Sequence, residues 1–287
     1  MPRETTRKDA TGKDALLEFP SPLTRAIFDR REKRFFIHAH LPDGTPVVAH
    51  TNNTGAMRGC LFPGGDIYLS PARNPARKLR WTLELTRTEP DGVLVGVNTM
   101  AANTLVREAL ESGPLKAGLA GSGLPNSDLA NSDLPNSTTP NPSQPDILPP
   151  GGTLRAEVRY GRQGSRADFL ATSDQGARTW IEVKNVSLVE DGHARFPDAP
   201  TERGRKHLQE LAAMVAAGDR AALVFCVQRA DARSVGPADD IDPAYGQLLR
   251  EVAAQGVEVY GVVCRAAPQA SPRTLRPQAL LPIILGR

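Results

Sequence analysis

The stretch "RADFLATSDQGARTWIEVKNVSL" (166–188) decides the fold. The segments 166–172 and 178–184 are apolar enough to be strands and read as a hairpin. Asp168 lies in the first, Glu182 fourteen positions later and Lys184 two beyond that. Side chains alternate along a strand, so Glu182 and Lys184 project to one face while Ile181 and Val183 pack on the other. The hairpin sets Asp168 beside Glu182, and Glu157, on a further strand candidate at 153–160, joins them. Crowded carboxylates repel unless a cation sits between them. Mg²⁺ takes hard oxygen ligands and keeps several waters, so Asp168 and Glu182 are its candidate ligands, with Mn²⁺ as a substitute. Lys184 is placed to stabilise charge building on a phosphate or to orient water. Against this stands a plain surface ion pair of Glu182 with Lys184, worth under ~1 kcal/mol.

Working outward, the second half alternates strand and helix. Residues 201–217 place Leu208, Leu211, Ala212 and Val215 at helical spacing, with Thr201 as N-cap. "AALVFCVQ" (221–228) reads as a central strand. "DPAYGQLLREVAAQG" (242–256) is a helix capped by Asp242, with Pro243 at N1 and Tyr245, Leu248, Leu249 and Val252 on its buried face. "VEVYGVVC" (257–264) is another core strand. The pattern is an α/β domain with a mixed sheet.

The first half is different. "RFFIHAHL" and "TPVVAHT" flank "PDG", a hairpin signal, and "PGGDIYLS" adds a turn and a strand. A small β-barrel or curled sheet is expected there. "GVLVGVNTMAANTLVREAL" passes from a strand (93–97) to a helix (99–111). Between the halves, Pro, Asn and Ser dominate 113–152, and Asn-Ser-Asp-Leu recurs at 126–129 and 131–134. Such a segment buries too little to offset its ordering entropy and is expected to be a disordered insert. The expected organisation is a tail (1–17), a barrel (18–90), a connecting strand and helix (91–112), the insert (113–152) and an α/β domain (153–287).

The chain has 287 residues, a hydrophobic content of 40% and a net charge of +3, which suits a soluble protein. No apolar core marks a secretory signal near the start and no 18-residue apolar run occurs, so neither export nor a membrane span is expected. Three cysteines lack paired metal spacing, and Cys226 and Cys264 read as buried free thiols; a cytoplasmic location is expected.

Basic residues cluster at 25–34, 73–80, 155–166 and 202–207, which suits a phosphate backbone and, from charge alone, equally suits solvated faces. Arg31, Arg34, Arg58, Lys78 and Arg166 are candidate contacts. Arg203, Arg205, Lys206 and His207 crowd the start of a helix, where free N–H groups already favour anions. Phe35, Phe36 and Trp81 are candidates to stack bases, although Phe36 has apolar neighbours that suit a core. Asn and Gly at 52–55 read as a tight turn, which on the residues alone is an ordinary turn; the amides of Asn52 and Asn53 are candidates to touch a base or phosphate. No helix-turn-helix pattern is present, so a sequence-reading regulator of that type is not expected.

Several strings together resemble the bacterial sugar fermentation stimulation protein A family: "RREKRFFIHAHL", "NTGAM" with "GC", "LVGVNTMAANTLVREAL", "AEVRYGRQGSRADFL", "IEVKNVSL" and "FPDAPTERGRKHLQEL". The resemblance covers roughly 18–112 and 151–285. It implies an OB-like barrel followed by a PD-(D/E)xK nuclease-like domain, with Asp168, Glu182 and Lys184 at the motif positions and Glu157 as an accessory acid. It also implies DNA binding without strong sequence preference, linked to regulation of sugar catabolism. The chain departs from the family at Asn52, where Pro usually precedes "NTG", so a looser turn around Asn53 is expected. The reading is a DNA-binding protein with no organic cofactor; the alternative is an active Mg²⁺-dependent nuclease on DNA or RNA. Oligomeric state is not encoded in any motif.

Overall fold

A computed structural model describes residues 17–19, 22–72, 74, 76–88, 92–115, 137–138, 146–161, 164–266 and 274–286. In chain order the first elements are β1 (Leu17–Glu18), β2 (Thr24–Glu32), β3 (Phe36–His40), β4 (Pro46–His50), β5 (Asp66–Pro71), β6 (Trp81–Arg87), β7 (Leu94–Gly96) and α1 (Met100–Glu111). Then come β8 (Ser137–Thr138), β9 (Thr153–Tyr160), β10 (Ser165–Thr172), β11 (Arg178–Val186), β12 (Leu188–Glu190), β13 (His193–Phe196) and α2 (Glu202–Ala216). The last are β14 (Arg220–Val227), β15 (Ser234–Pro237), α3 (Pro243–Ala254), β16 (Glu258–Ala266), β17 (Thr274–Leu281) and β18 (Ile283–Ile284).

The first half folds as an OB-like barrel. Strands run in the order β4-β3-β2-β5-β6-β7, and a parallel pairing of β4 with β6 closes the ring. The "PDG" hairpin forms as expected, with His40 opposite Pro46. Alternation sends Ile37 and Ala39 of β3 inward against Ala26, Phe28, Leu69 and Leu83. At the β2–β3 turn, Lys33 and Arg34 hold φ of +48° and +63° in succession. A side chain in that left-handed region costs about 1–2 kcal/mol per residue.

The second half is a seven-stranded mixed sheet, ordered β1-β17-β16-β14-β11-β10-β9. β9, β10 and β11 are an antiparallel meander, β11, β14 and β16 are parallel, and β17 runs antiparallel. β14 and β16 read as apolar runs because the sheet is covered on both faces. On one face lies α1, whose Leu105, Val106 and Ala109 meet Phe169, Ile181 and Val183. The other face carries α2 and α3, with Leu208, Leu211, Tyr245 and Leu249 against Leu223 and Phe225. Both caps are as expected: Thr201 Oγ1 accepts from Gly204 N–H at 3.0 Å, and Asp242 Oδ1 from Tyr245 N–H at 3.0 Å. Ala212, Val215 and Leu248 pack at the margin of this core and are only partly buried. All three cysteines are buried and free.

A second, smaller sheet, β12-β13-β15-β18-β8, was not foreseen. Its strands have two to four residues each, too short to show a period. β17 also went unforeseen, because Pro277 sits inside it. The segment 113–152 contributes to the fold at both ends, since Leu115 and Ile147 are buried in the α1 core and Ser137–Thr138 pairs with Ile283–Ile284. The expected disorder of its remainder (116–136, 139–145) and of residues 1–16 falls outside the described residues. No helix among the described residues is long and apolar enough to cross a membrane.

Barrel and sheet are joined by specific contacts. Gly96 N–H donates to Gln228 C=O at 2.7 Å, and Asp198 Oδ2 accepts from Met57 N–H at 2.9 Å. A Cβ on Gly55 would lie 2.5 Å from Asp198 Oδ2, so only glycine permits this approach. Gly55→Ala is expected to loosen the junction and lower the thermal midpoint, whereas Thr54→Ala, on an exposed neighbour, leaves it unchanged. Relief of the left-handed strain in Arg34→Gly is expected to raise the unfolding free energy by about 1 kcal/mol, read by urea titration.

Candidate functional site

The registers of three strands build the site. Phe169 pairs with Ile181 across β10–β11, which sets Asp168 opposite Glu182. Ala167 pairs with Val158 and Phe169 with Ala156 across β10–β9, which sets Glu157 opposite Asp168. Glu157 itself takes φ +55°, so the ladder breaks there and its side chain is exposed. Lys184 follows Glu182 on the same face of β11, as alternation requires.

Glu182 is 2% exposed. Its Oε1 receives Lys184 Nζ at 2.6 Å and makes a short contact with His207 Nδ1 from the second turn of α2. Arg203 Nε, one turn earlier, donates to His207 Nε2 at 3.3 Å, and Lys184 Nζ lies 3.3 Å from His207 Nδ1, so the ring sits between Arg203 on one side and the Glu182–Lys184 pair on the other. Glu182 Oε2 is buried and makes no hydrogen bond to the protein. Asp168 is held by two donors, Val183 N–H to Oδ2 at 2.7 Å and Asn103 Nδ2 to Oδ1 at 2.9 Å.

The two carboxylates are pushed in opposite directions. Burial, and next the charge of Glu182, raise the Asp168 carboxyl above its usual range; the Val183 and Asn103 bonds only partly offset this. Burial also opposes charge on Glu182, but Lys184 and His207 outweigh it and hold the group below the usual range. A cation between them would relieve the repulsion and satisfy the orphaned Oε2. Among the described residues no group of three or more His, Cys, Asp or Glu side chains is arranged as a metal cage. Two carboxylates alone would leave most coordination positions to water or other oxygens, a chemistry that suits a hard divalent cation.

These groups open into a cleft of about 630 Å³ between barrel and sheet. Glu157, Asp168, Glu182, Lys184, Arg203 and His207 line its sheet side. Arg34, Asn52, Asn53, Thr54 and Gly55 line its barrel side, and Met100 and Asn103 of α1 its end. Arg31 lines an adjoining hollow and is spent on structure, with its guanidinium donating to the carbonyls of Arg34, Asn53 and Gly55 at 2.7–2.9 Å. Asn53 is buried and its Oδ1 accepts from Gly55 N–H at 2.9 Å. Arg205 is paired with Asp242, and Lys206 also lies outside the cleft lining. Arg58, Lys78 and Arg166 are exposed away from it.

The loop at Asn52 is tied down rather than loose. Asn52 Nδ2 donates to Asn98 Oδ1 at 3.0 Å, and Asn98 Nδ2 to Glu84 Oε2 at 2.8 Å. The side-chain amide thus anchors a turn that a proline would otherwise stiffen through its ring. Sequence reasoning missed Asn103, Asn98 and Asp198. Asn103 follows the apolar face of the 99–111 helix at its border, and such a border polar residue was its one visible signal.

Two family models match the chain: the SfsA N-terminal OB domain over residues 30–97 and the sugar fermentation stimulation protein RE domain over 137–270. A sugar fermentation stimulation protein homolog from Geobacter metallireducens is 43% identical over 269 residues, covering 94% of this chain and 100% of the relative. One from Thioalkalivibrio sulfidiphilus is 46% identical over 253 residues, covering 88% and 93%. The structure of Pyrococcus furiosus SfsA in complex with Ca²⁺ superposes with a TM-score of 0.70 at 24% identity, covering 94% of this chain and 99% of that one. With both domains matched in order and relatives aligned along most of its length, the chain belongs to the sugar fermentation stimulation protein family.

Proposed function

We propose that this chain binds DNA through its phosphate backbone in the cleft, and that Asp168, Glu182 and Lys184 form a divalent-metal site for phosphodiester hydrolysis. The observation that carries the reading is the orphaned Glu182 Oε2, a buried acceptor beside a second carboxylate and an ammonium. A buried polar group without a partner is costly unless a ligand completes it. The Pyrococcus furiosus protein was solved with Ca²⁺, a cation of the same oxygen-seeking class.

Asp168 and Glu182 would hold the ion, which when bound polarises a phosphoryl oxygen and acidifies a coordinated water. Asn103 and Val183 N–H fix the Asp168 carboxylate in one orientation. Lys184, anchored on Glu182 Oε1, presents an ammonium to charge developing on the phosphate. Arg34 and Arg203 grip flanking phosphates from opposite walls. The link to sugar catabolism rests on the family name, and a cytoplasmic place suits a DNA ligand. RNA offers the same phosphate chemistry and belongs in the same assay.

A second reading is a binder that does not cut. It is favoured by the saturation of Glu182 Oε1 by both Lys184 and His207, which restrains the ammonium from reaching a substrate.

Purified protein incubated with DNA or RNA is expected to cleave in Mg²⁺ or Mn²⁺ and not with chelator. Lys184→Ala and Asp168→Asn should each lower cleavage by about 10²-fold or more while leaving binding intact. Binding without cleavage in any metal would select the second reading; no binding near physiological salt would defeat both. The affinity is further expected to fall linearly with log salt, and Arg34→Ala or Arg203→Ala should each reduce that slope by about one.

A further inference from the structure

Phe35 is the residue this reading leaves unused. Phe35 and Met100 are the exposed large hydrophobic residues among those described, and Phe35 is 43% exposed. The other aromatic candidates are spent on packing, with Trp81 against the barrel core and Phe36 half-buried in β3. The Phe35 ring lies parallel to His50, 9° between planes and 6.4 Å between centroids.

The backbone of Phe35 is tied to the segment that leads into the cleft wall. Phe35 C=O accepts from Thr51 N–H at 3.0 Å, where the cleft-lining loop begins. Arg31 bonds the carbonyls of Arg34, Asn53 and Gly55 together, locking the β2–β3 turn to that loop. Arg34, next in chain, lines the cleft itself. The turn also carries a cost. Lys33 and Arg34 occupy consecutive left-handed positions, where Gly or Asn would be favoured. Observed backbone strain of this kind points to use of the side chains it holds. Two cationic residues directly precede an exposed aromatic one in the chain, the combination a nucleotide calls for, with phosphate on charge and base on ring.

We infer that Phe35, carried on the strained Lys33–Arg34 turn, is a stacking platform for an unpaired nucleobase, so the strand entering the cleft from this side is single-stranded. A continuous duplex has its bases stacked on one another and offers no free face to the ring. The inference rests on the proposed nucleic-acid reading and adds the class of substrate.

Fluorescence anisotropy in chelator, without turnover, tests it with three probes: a short oligo-dT strand, the same strand made abasic, and a duplex of equal length. Wild type is expected to prefer oligo-dT to the abasic strand by about 10-fold. Phe35→Ala should collapse that ratio toward one, and Phe35→Tyr should restore it. Arg34→Gly, which relieves the turn, should weaken both strands alike. An unchanged ratio in Phe35→Ala, or tighter binding of duplex than of oligo-dT, would overturn the inference while leaving the proposed reading standing. Failure of wild type to bind any probe would overturn both.

Discussion

The rest of the structure depends on a carboxylate placed where a strand would normally carry a core residue. Glu182 lies in the middle of β11, flanked by Ile181 and Val183 on the apolar face and by β10 and β14 on either side. Burying that charge would cost several kcal/mol in isolation. The fold meets this cost by bringing Lys184 from the same strand and His207 from α2 onto one oxygen. The second oxygen is left over. That asymmetry goes beyond an ion pair: one oxygen is held by Lys184 and His207, and the other is buried without a hydrogen-bond partner.

Neighbouring elements serve this placement. α1 follows the barrel in sequence but packs on the sheet, and so delivers Asn103 to Asp168. The loop after β13 turns back so that Asp198 receives Met57 N–H from the barrel, with Gly55 allowing close approach. The barrel therefore supplies a wall of the cleft rather than a separate surface. Any ligand reaching the acidic pair through the cleft passes between the two.

Much of this was legible in the sequence because it obeys short periods. Strands β9, β10, β11, β14 and β16 and both capped helices announce themselves by apolar runs, Thr201 and Asp242. Asp168, Glu182 and Lys184 follow from strand alternation and a hairpin. What stayed hidden depends on long-range pairing. The small sheet is built of strands too short for any period. Asn52, Asn98 and Asp198 look like ordinary loop residues until folding joins Asn52 to Asn98 and Asp198 to Met57. Arg31 reads as a phosphate contact, yet its guanidinium is consumed by three carbonyls from its own turn and the adjacent loop. Charge clusters count cations, and only the structure says which are spent.

The most direct measurement is anomalous diffraction from crystals soaked in Mn²⁺. The account predicts a peak beside the carboxylates of Asp168 and Glu182, with Lys184 still on Glu182 Oε1. A site without metal, its Oε2 turned to a protein donor, or a peak only elsewhere on the surface, would contradict it.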